Sequence, residues 1–237
     1  MPALLLVWIL AASQVPAYVL PQPWDVVAEG WRWLADGSLG EHVAASLLRE
    51  LGGFGLAVLA ALALGGATAR WSGLRDFTAP LTGLFMAIPP IAWAPLSMIL
   101  FGLGYFAITA VIFVAAVFPM AITIQEGFLS IRQDIVRAAR TMGANSLQLF
   151  IHIRLPSALP FLSTALRIGF SQAWRALVAA EMIGASKGIG WMVATGGQIG
   201  NSTQVLLGIA IIGLTAWLTE SFVFKRLERH YQHWHQQ

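Results

Sequence analysis

Long uncharged apolar stretches alternate with short polar or charged segments along the whole chain. Each stretch is close to or above the length of about 20 apolar residues that a helix needs to cross the hydrocarbon core of a bilayer. The predicted spans are approximately residues 3–20, 51–69, 78–102, 106–124, 157–181 and 205–224. Because these stretches cover the sequence from end to end, we expect residues 1–237 to form a single all-α, polytopic transmembrane bundle of about six spans.

The first apolar stretch, residues 3–20, has two interpretations. Its length suits a membrane span, but a stretch of this kind at an N-terminus is also typical of a secretory signal peptide. Residues 1–24 carry no charged side chain, so the basic residues that normally open a signal peptide are missing. This favours a span, with a signal peptide as the alternative.

Prolines and polar segments interrupt the pattern between and within the spans. Pro89, Pro90 and Pro95 fall inside the third predicted span, where residues without an amide hydrogen predict a kink or an unwound turn. An acidic stretch that runs to about Ala45 is expected to form an external loop, and the glycine-rich residues 184–202 a turn region between the last two spans.

Basic residues in the connecting segments predict the orientation, because lysine and arginine are retained on the cytoplasmic side of a membrane. With the N-terminus inside, most of them fall on that side, namely Arg70, Arg75, Arg132, Arg137, Arg140, Arg154, Lys225, Arg226 and Arg229. The external segments then hold Arg32, Arg49 and Lys187. We therefore expect both termini in the cytoplasm.

Composition agrees with a membrane protein and excludes several other classes. The hydrophobic share is 57% and the charged share 11%, which is about half of what a soluble domain carries. The net charge of +3 comes from basic residues scattered among apolar segments, so no nucleic-acid-binding patch is expected. Since the chain has no cysteine, it has no disulfide, thiolate metal site or cysteine nucleophile.

The segment between the fourth and fifth spans, residues 126–156, is predicted to be a solvent-facing helical loop because charged and apolar residues alternate in it. Residues 137–143 read Arg-Ala-Ala-Arg-Thr-Met-Gly, and residues 153–156 read Ile-Arg-Leu-Pro. This pattern resembles the cytoplasmic EAA loop of binding-protein-dependent ABC importer permeases: Glu-Ala-Ala, three residues, Gly, nine residues, Ile, one residue, Leu-Pro. Arg137 departs from it, since the family usually has glutamate there. The matched spacing favours this loop over an ordinary amphipathic juxtamembrane helix.

The resemblance makes 126–156 a cytoplasmic coupling loop that contacts an ATPase subunit. The residues that match or replace the motif are Arg137, Ala138, Ala139, Gly143, Ile153, Leu155 and Pro156. The small side chains would let another surface approach closely, and the neighbouring arginines can pair with acidic groups. Pro156 lacks an amide hydrogen, so it is expected to end the loop helix or to begin the next span at its first position.

Other segments, residues 87–96, 101–104 and 179–190, look like those of the permease subgroup for nitrate, sulfonates and taurine. The resemblance implies a type I ABC importer permease fold in a bacterial inner membrane. It also implies a second permease copy, expected to form a homodimer, surrounding lipid, a periplasmic or extracellular solute-binding protein, and ATP-binding cassette subunits that hold ATP and Mg²⁺. The chain itself has no Gly-x-x-x-x-Gly-Lys-Ser/Thr loop, so we expect it to bind no cofactor and to be no enzyme.

Two arginines within the fifth span suggest a transport pathway. Arg167, Ser171 and Arg175 repeat at intervals of four and so share one helix face, with Gln172 beside them. An arginine inside a membrane is costly unless it faces a partner or water, so this face is predicted to line the pathway and to attract an anion. The alternatives are an ion pair of Arg175 with Glu181 or Glu220, and an Arg167 side chain that extends to the interface.

We therefore expect an importer permease for a small oxyanion such as a sulfonate, taurine or nitrate, with a neutral heteroaromatic or vitamin precursor as the alternative substrate. A secondary transporter would use midplane carboxylates and repeats, but only Glu220 lies well within a span. No catalytic cluster for an intramembrane enzyme is recognisable. The group formed by His230, His233 and His235 is predicted to be a hydrophilic tail and no metal site.

Overall fold

The computed structural model describes residues 2–224, and within this range every regular element is a helix. The α-helices are α1 (Pro2–Gln14), α2 (Pro23–Ala35), α3 (Ser38–Arg70), α4 (Ser72–Ala87), α5 (Ala94–Phe101), α6 (Tyr105–Leu129), α7 (Gln133–Thr141), α8 (Ser146–Leu149), α9 (Leu155–Gly184), α10 (Ile189–Gln198) and α11 (Ser202–Thr219). A 3₁₀ turn (Pro90–Trp93) precedes α5, and π turns follow α8 (Phe150–Arg154) and α11 (Glu220–Phe224). The all-α prediction is confirmed.

The described residues contain four helical stretches that are long and apolar enough to cross a membrane, and a fifth if one bent pair counts as a span. The four are Ser38–Arg70, Tyr105–Leu129, Ser146–Gly184 and Ser202–Phe222. The bent pair joins Ser72–Ala87 to Pro90–Phe101 at an angle of 95°. The multi-pass prediction is confirmed, and the break falls at Pro89 and Pro90, where the sequence predicted a kink or an unwound turn.

Helix α1 is shorter than the span predicted at residues 3–20. It has 13 residues and ends at Gln14, two positions before Pro16. A helix of this length extends about 20 Å, whereas the hydrocarbon core is about 30 Å thick. After it, the Pro16 carbonyl accepts the amides of Val19 and Leu20 in a turn. The structure therefore replaces the last part of the predicted span by a turn.

Two segments predicted as loops contain helices. The acidic stretch holds α2, in which Pro23 is the first residue and the Asp25 carboxylate accepts the Gln22 amide at 3.1 Å. Gly37, with φ of +80°, then separates α2 from α3. The glycine-rich region holds α10. Both helices bury apolar residues, and this packing overrides the polar or glycine-rich composition on which the loop predictions rested.

The chain divides into two compact units. The first comprises Met1–Gly53, Ile91–Val111 and Trp174–Trp217, and its core includes Val26, Met192 and Leu207. The second comprises Phe54–Pro90, Ile112–Ala173 and Leu218–Gln237. Within each unit the helices approach closely at small residues, as membrane helices commonly do.

In the second unit, Gly65 shows how close this approach is. A Cβ at Gly65 would lie 2.6 Å from the Ala121 carbonyl oxygen and 2.9 Å from the Ile124 side chain. A Cβ at Gly127 would similarly lie 2.5 Å from the Phe161 side chain. Glycine is therefore required where α3 and α9 pack against α6.

Candidate functional site

The segment predicted as a coupling loop, residues 126–156, begins with α7. The Arg132 side chain precedes this helix and donates to the Asp134 carboxylate at 2.6 Å. This hydrogen bond lowers the pKa of Asp134 below its ordinary value. A charged carboxylate in the first turn of a helix also interacts favourably with the helix dipole. The start of α7 is therefore well defined although both side chains are exposed.

The loop has a small hydrophobic core of its own. Its buried members are Ile131, Val136, Ala139 and Leu149, and partly buried Phe128, Ala144 and Ile153 pack against them. Two predicted contact residues, Ala139 and Ile153, thus hold the loop together from inside. Apolar packing of this kind keeps α7 and α8 in a fixed arrangement.

Gly143 ends α7 in a Schellman motif. The Ala144 amide donates to the Ala139 carbonyl at 3.0 Å, and the Gly143 amide donates to the Arg140 carbonyl at 2.9 Å. Gly143 has φ of +90°, a conformation that is costly for any residue with a Cβ. The glycine of the motif is therefore required for the turn between α7 and α8.

The turn leads directly into a capped α8. The Asn145 side chain accepts the Gln148 amide at 2.8 Å, and the Gln148 side chain accepts the Asn145 amide at 2.9 Å. This reciprocal pair is a capping box, which satisfies donors that the first turn leaves open. Both ends of the turn are thereby fixed by local hydrogen bonds.

One side of α7 faces away from this core. Arg137 and Ala138 are exposed, and Met142 at the end of the helix is 83% exposed. Ala138 lies one residue from buried Ala139, so the two alanines of the motif point in different directions. The loop thus offers a small exposed side chain between charged neighbours on a pre-ordered helix.

The connection from the loop to α9 is continuous. Residues 146–184 form one helical stretch in which the π turn Phe150–Arg154 precedes Leu155 and Pro156. Pro156 is the second residue of α9, within its first turn, and the π turn joins α8 to α9 without a break in the helical stretch. Pro156 cannot donate to the carbonyl of His152, four residues earlier, and the π turn accommodates that missing hydrogen bond.

The predicted pathway residues lie on α9. Arg167, Ser171 and Arg175 are exposed and share one face of this helix, and Gln172 is half-buried beside them. Arg167 forms an ion pair with Glu220. The sequence offered Glu220 as an alternative partner of Arg175, whereas the structure pairs Glu220 with Arg167.

Glu181, near the end of α9, is the centre of a buried polar network. Its carboxylate accepts the Ser46 hydroxyl at 2.8 Å, the Arg49 guanidinium at 2.6 Å and the Gly190 amide at 3.0 Å. Glu181 and Ser46 are fully buried. The alternative of an Arg175 pair with Glu181 therefore meets a carboxylate that Arg49 already occupies.

The same network holds the segment that joins α9 to α10. The Arg49 guanidinium donates to the Lys187 carbonyl at 2.6 Å, and the Lys187 ammonium pairs with Glu41 at 2.7 Å. Both partners come from the first part of α3. Arg49 bridges the Glu181 carboxylate and the Lys187 carbonyl, and Glu41 pairs with the Lys187 ammonium. The segment between α9 and α10 is therefore attached to α3 at two points.

Backbone amides of this segment complete the attachment. The Gly188 amide donates to His42 Nδ1 at 3.0 Å, and the Ile189 amide donates to the Ser46 hydroxyl at 2.8 Å. The His42 ring stacks on Trp191 with 5.0 Å between ring centroids. The start of α10 is thus fixed by side chains of α3.

Glu50 differs from Glu181 although both are buried. Its side chain is 1% exposed, and neither carboxylate oxygen has a hydrogen-bond partner within the described residues. A buried polar group without a hydrogen-bond partner is costly, so Glu50 is the least satisfied side chain of this region.

Sequence comparison decides the family. The family model described as "Binding-protein-dependent transport system inner membrane component" matches residues 53–233, which is most of the chain. The chain belongs to this family. It is the transmembrane permease subunit of an ABC importer, as the motif resemblance implied.

Individual relatives agree with this assignment. The permease is 35% identical to the taurine transport system permease protein TauC of Escherichia coli over 96% of its own length and 85% of the relative. It is 31% identical to the nitrate import permease protein NrtB of Leptolyngbya laminosa, over 88% and 75% of the two chains. A chain of the MetNI methionine ABC transporter, in an inward-facing conformation, has a TM-score of 0.66 at 22% identity and covers 86% of the permease and 98% of its own length. The last match confirms the fold.

The spacing of the motif predicted the loop of this permease, whereas no pattern in the sequence predicted the polar network. The sequence predicted His42 and Ser46 in or beside an external loop, and Glu181 within a family-like segment and as an alternative partner of Arg175. The available signal was the pair Arg49 and Glu50, two adjacent charges at the start of an otherwise uncharged stretch. His230, His233 and His235 lie outside the described residues.

Proposed function

We propose that this permease forms the pathway for a small oxyanion, such as a sulfonate, taurine or nitrate. The observation that carries the proposal is the exposed face of α9 with Arg167 and Arg175, on a helix long enough to cross a membrane. Guanidinium groups bind oxyanions through paired hydrogen bonds. The taurine and nitrate permeases among the relatives support the same class of substrate.

The exposed side of α7 is proposed as the contact for an ATP-binding cassette subunit, which holds ATP and Mg²⁺. The support is a pre-ordered helix that presents Ala138 between charged residues, at the position of the family motif. Arg137 would face an acidic group on that ATPase, in place of the contact that the usual glutamate makes. Because the loop has its own core, it can transmit force without unfolding.

Movement of the ATPase would reach the pathway through the continuous helical stretch 146–184. This stretch begins in the coupling loop and includes α9, so a displacement of α8 acts directly on the helix that carries Arg167 and Arg175. We propose residues 1–237 as one permease domain, since α3, α6 and α9 each contribute to both compact units.

The assembly we propose has two copies of this chain, as a homodimer, in the lipid of a bacterial inner membrane. Both termini and the loop 126–156 would lie in the cytoplasm, and a solute-binding protein would dock from outside. The distribution of arginine and lysine between the two sides supports this orientation.

The test is uptake by reconstituted importer that carries Arg175→Gln. We expect uptake of taurine or nitrate, whichever the wild type transports, to fall at least about tenfold, because a charge-assisted contact of roughly 1.5–3 kcal/mol is lost. The matched control is Arg75→Gln on α4, where the arginine pairs with neighbouring Asp76. Unchanged oxyanion uptake by a fully assembled Arg175→Gln importer would contradict the role of this α9 face in the pathway, and a wild type that transports neither taurine nor nitrate would contradict the proposed substrate class.

A further inference from the structure

A cavity of about 730 Å³ lies within the second compact unit, beside the coupling loop. Three arginines line it: Arg70 at the end of α3, Arg140 on α7 and half-buried Arg154 before α9. The polar side chains of Gln133 and Ser146 also line it. No carboxylate occurs among its lining residues, so the three arginines give the lining a net positive charge.

The rest of the lining is apolar. Phe128 and Leu129 come from the end of α6, and Phe150 from the π turn before α9. Cationic and apolar groups therefore meet in one cavity. A ligand that fits both must carry an anionic group next to hydrocarbon.

The position of the cavity agrees with such a ligand. Arg70 and Leu129 are the last residues of two membrane-crossing helices, and Arg154 lies just before the apolar part of a third. Helix ends of this kind lie at the depth of the lipid headgroups. Basic cavities between the cytoplasmic ends of membrane helices suit anionic headgroups.

The cavity is separate from the proposed ATPase contact. Gln133, Val136 and Arg140 are spaced by three and four residues, so they share the face of α7 that lines the cavity. Asp134 and Ala138 share a different face of the same helix. An occupant of the cavity would thus leave the outer side of α7 accessible.

We propose that this cavity binds the phosphate headgroup of an anionic phospholipid. Planar guanidinium groups match the paired oxygens of a phosphodiester, and three of them compensate a net negative lipid better than a zwitterionic one. The apolar lining would contact the glycerol and the first acyl carbons. An acidic protein segment would leave this hydrocarbon-like surface unmatched, which favours lipid as the occupant.

The experiment is native mass spectrometry of the permease, purified in mild detergent from native membranes with its associated subunits, then delipidated and titrated with phosphatidylglycerol or phosphatidylethanolamine. We expect the wild type to retain phosphatidylglycerol preferentially. The double variant Arg70→Gln, Arg154→Gln should retain it at least about fivefold less, because two charge-assisted hydrogen bonds are lost. Arg75→Gln, which removes a charge outside the cavity, should match the wild type.

Further arms distinguish the other occupants. Substitution of both arginines by lysine keeps the charge and should preserve part of the binding, which separates a lost ligand contact from a lost fold. Millimolar inorganic phosphate should leave phosphatidylglycerol bound. Equal retention of both lipids, full displacement by inorganic phosphate, unchanged lipid retention in the double glutamine variant, or loss of an ATPase subunit instead of lipid would each overturn the proposal.

Discussion

At the scale of single residues, Glu181 and Glu50 show that burial alone does not define the role of a carboxyl group. Glu181 accepts hydrogen bonds from Ser46, Arg49 and the Gly190 amide, whereas Glu50 has no partner within the described residues. A buried carboxylate with several donors is stabilised, whereas a buried carboxyl group without donors gains no such stabilisation. The two residues should therefore respond differently to the same neutral substitution.

Glu181→Gln should lower the free energy of unfolding by roughly 3–5 kcal/mol, because it leaves the buried Arg49 guanidinium without a counter-charge. Glu50→Gln should change this free energy by less than about 1 kcal/mol, because it exchanges one buried polar group without a hydrogen-bond partner for another of similar size. Thermal unfolding of the purified permease in detergent measures both. A larger loss for Glu50→Gln than for Glu181→Gln would show that the hydrogen-bonding pattern does not determine stability here.

The backbone conformation of Gly143 can be tested by substitution with alanine. Gly143→Ala should destabilise the loop locally by about 1–2 kcal/mol, because a Cβ is unfavourable at φ of +90°. Amide hydrogen exchange over residues 133–154 should become about tenfold faster, which corresponds to about 1.4 kcal/mol. The control is Gly73→Ala, in the helical α4 with open space around its Cβ, where exchange should be unchanged or slower. Equal effects of both substitutions would contradict a specific role for the Gly143 conformation.

At the scale of elements, the sequence predicted what depends on long apolar runs and missed what depends on packing. α3, α6, α9 and α11 follow from uncharged stretches of membrane length. The sequence does not predict α2 and α10, because acidic residues or glycines conceal their apolar positions. Val26 and Met192 become informative only when they meet in one core. α1 is short because the chain turns at Pro16, and the apolar run did not indicate which side of that proline would be helical.

The motif of the loop was likewise predictable in part. The motif spacing predicted a loop at residues 126–156 with a glycine at position 143. In the structure, Gly143 forms the turn that joins α7 to α8. The sequence could not predict that Ala138 is exposed and Ala139 buried, because this depends on which face of α7 packs on Leu149 and Ile153. The π turn before Pro156 was also not predictable, since a proline in that position is equally compatible with a helix start.

Ala138, on the exposed side of α7, tests the proposed ATPase contact. Because its side chain is exposed, Ala138→Leu should change the stability of the permease by less than about 0.5 kcal/mol. It should nevertheless weaken retention of the ATPase subunit at least about tenfold, because a larger side chain would prevent close approach at the centre of the proposed contact. Co-purification at graded salt concentrations measures the effect. Ala79→Leu, at an exposed alanine of α4, is the matched control, and equal retention in both variants would place the contact elsewhere.

At the scale of the whole molecule, the structure combines a membrane-crossing framework with a folded polar loop and an anchored segment at the start of α10. The family assignment makes this chain the permease subunit of an importer. The helical stretch 146–184 joins the last part of the segment 126–156 to the exposed arginines of α9. The central claim is therefore that an ATPase subunit acts on this stretch through α7.

The measurement that tests this claim most directly is affinity purification of the tagged permease from native membranes, followed by mass spectrometry and an ATPase assay of the eluate. The account predicts an ATP-binding cassette subunit and ATPase activity with the wild type. Both should be lost when residues 137–150 are deleted, and both should be reduced in the folded Ala138→Leu variant. Recovery of a folded, transport-active permease without any ATPase subunit would contradict the account and indicate transport driven by an ion gradient.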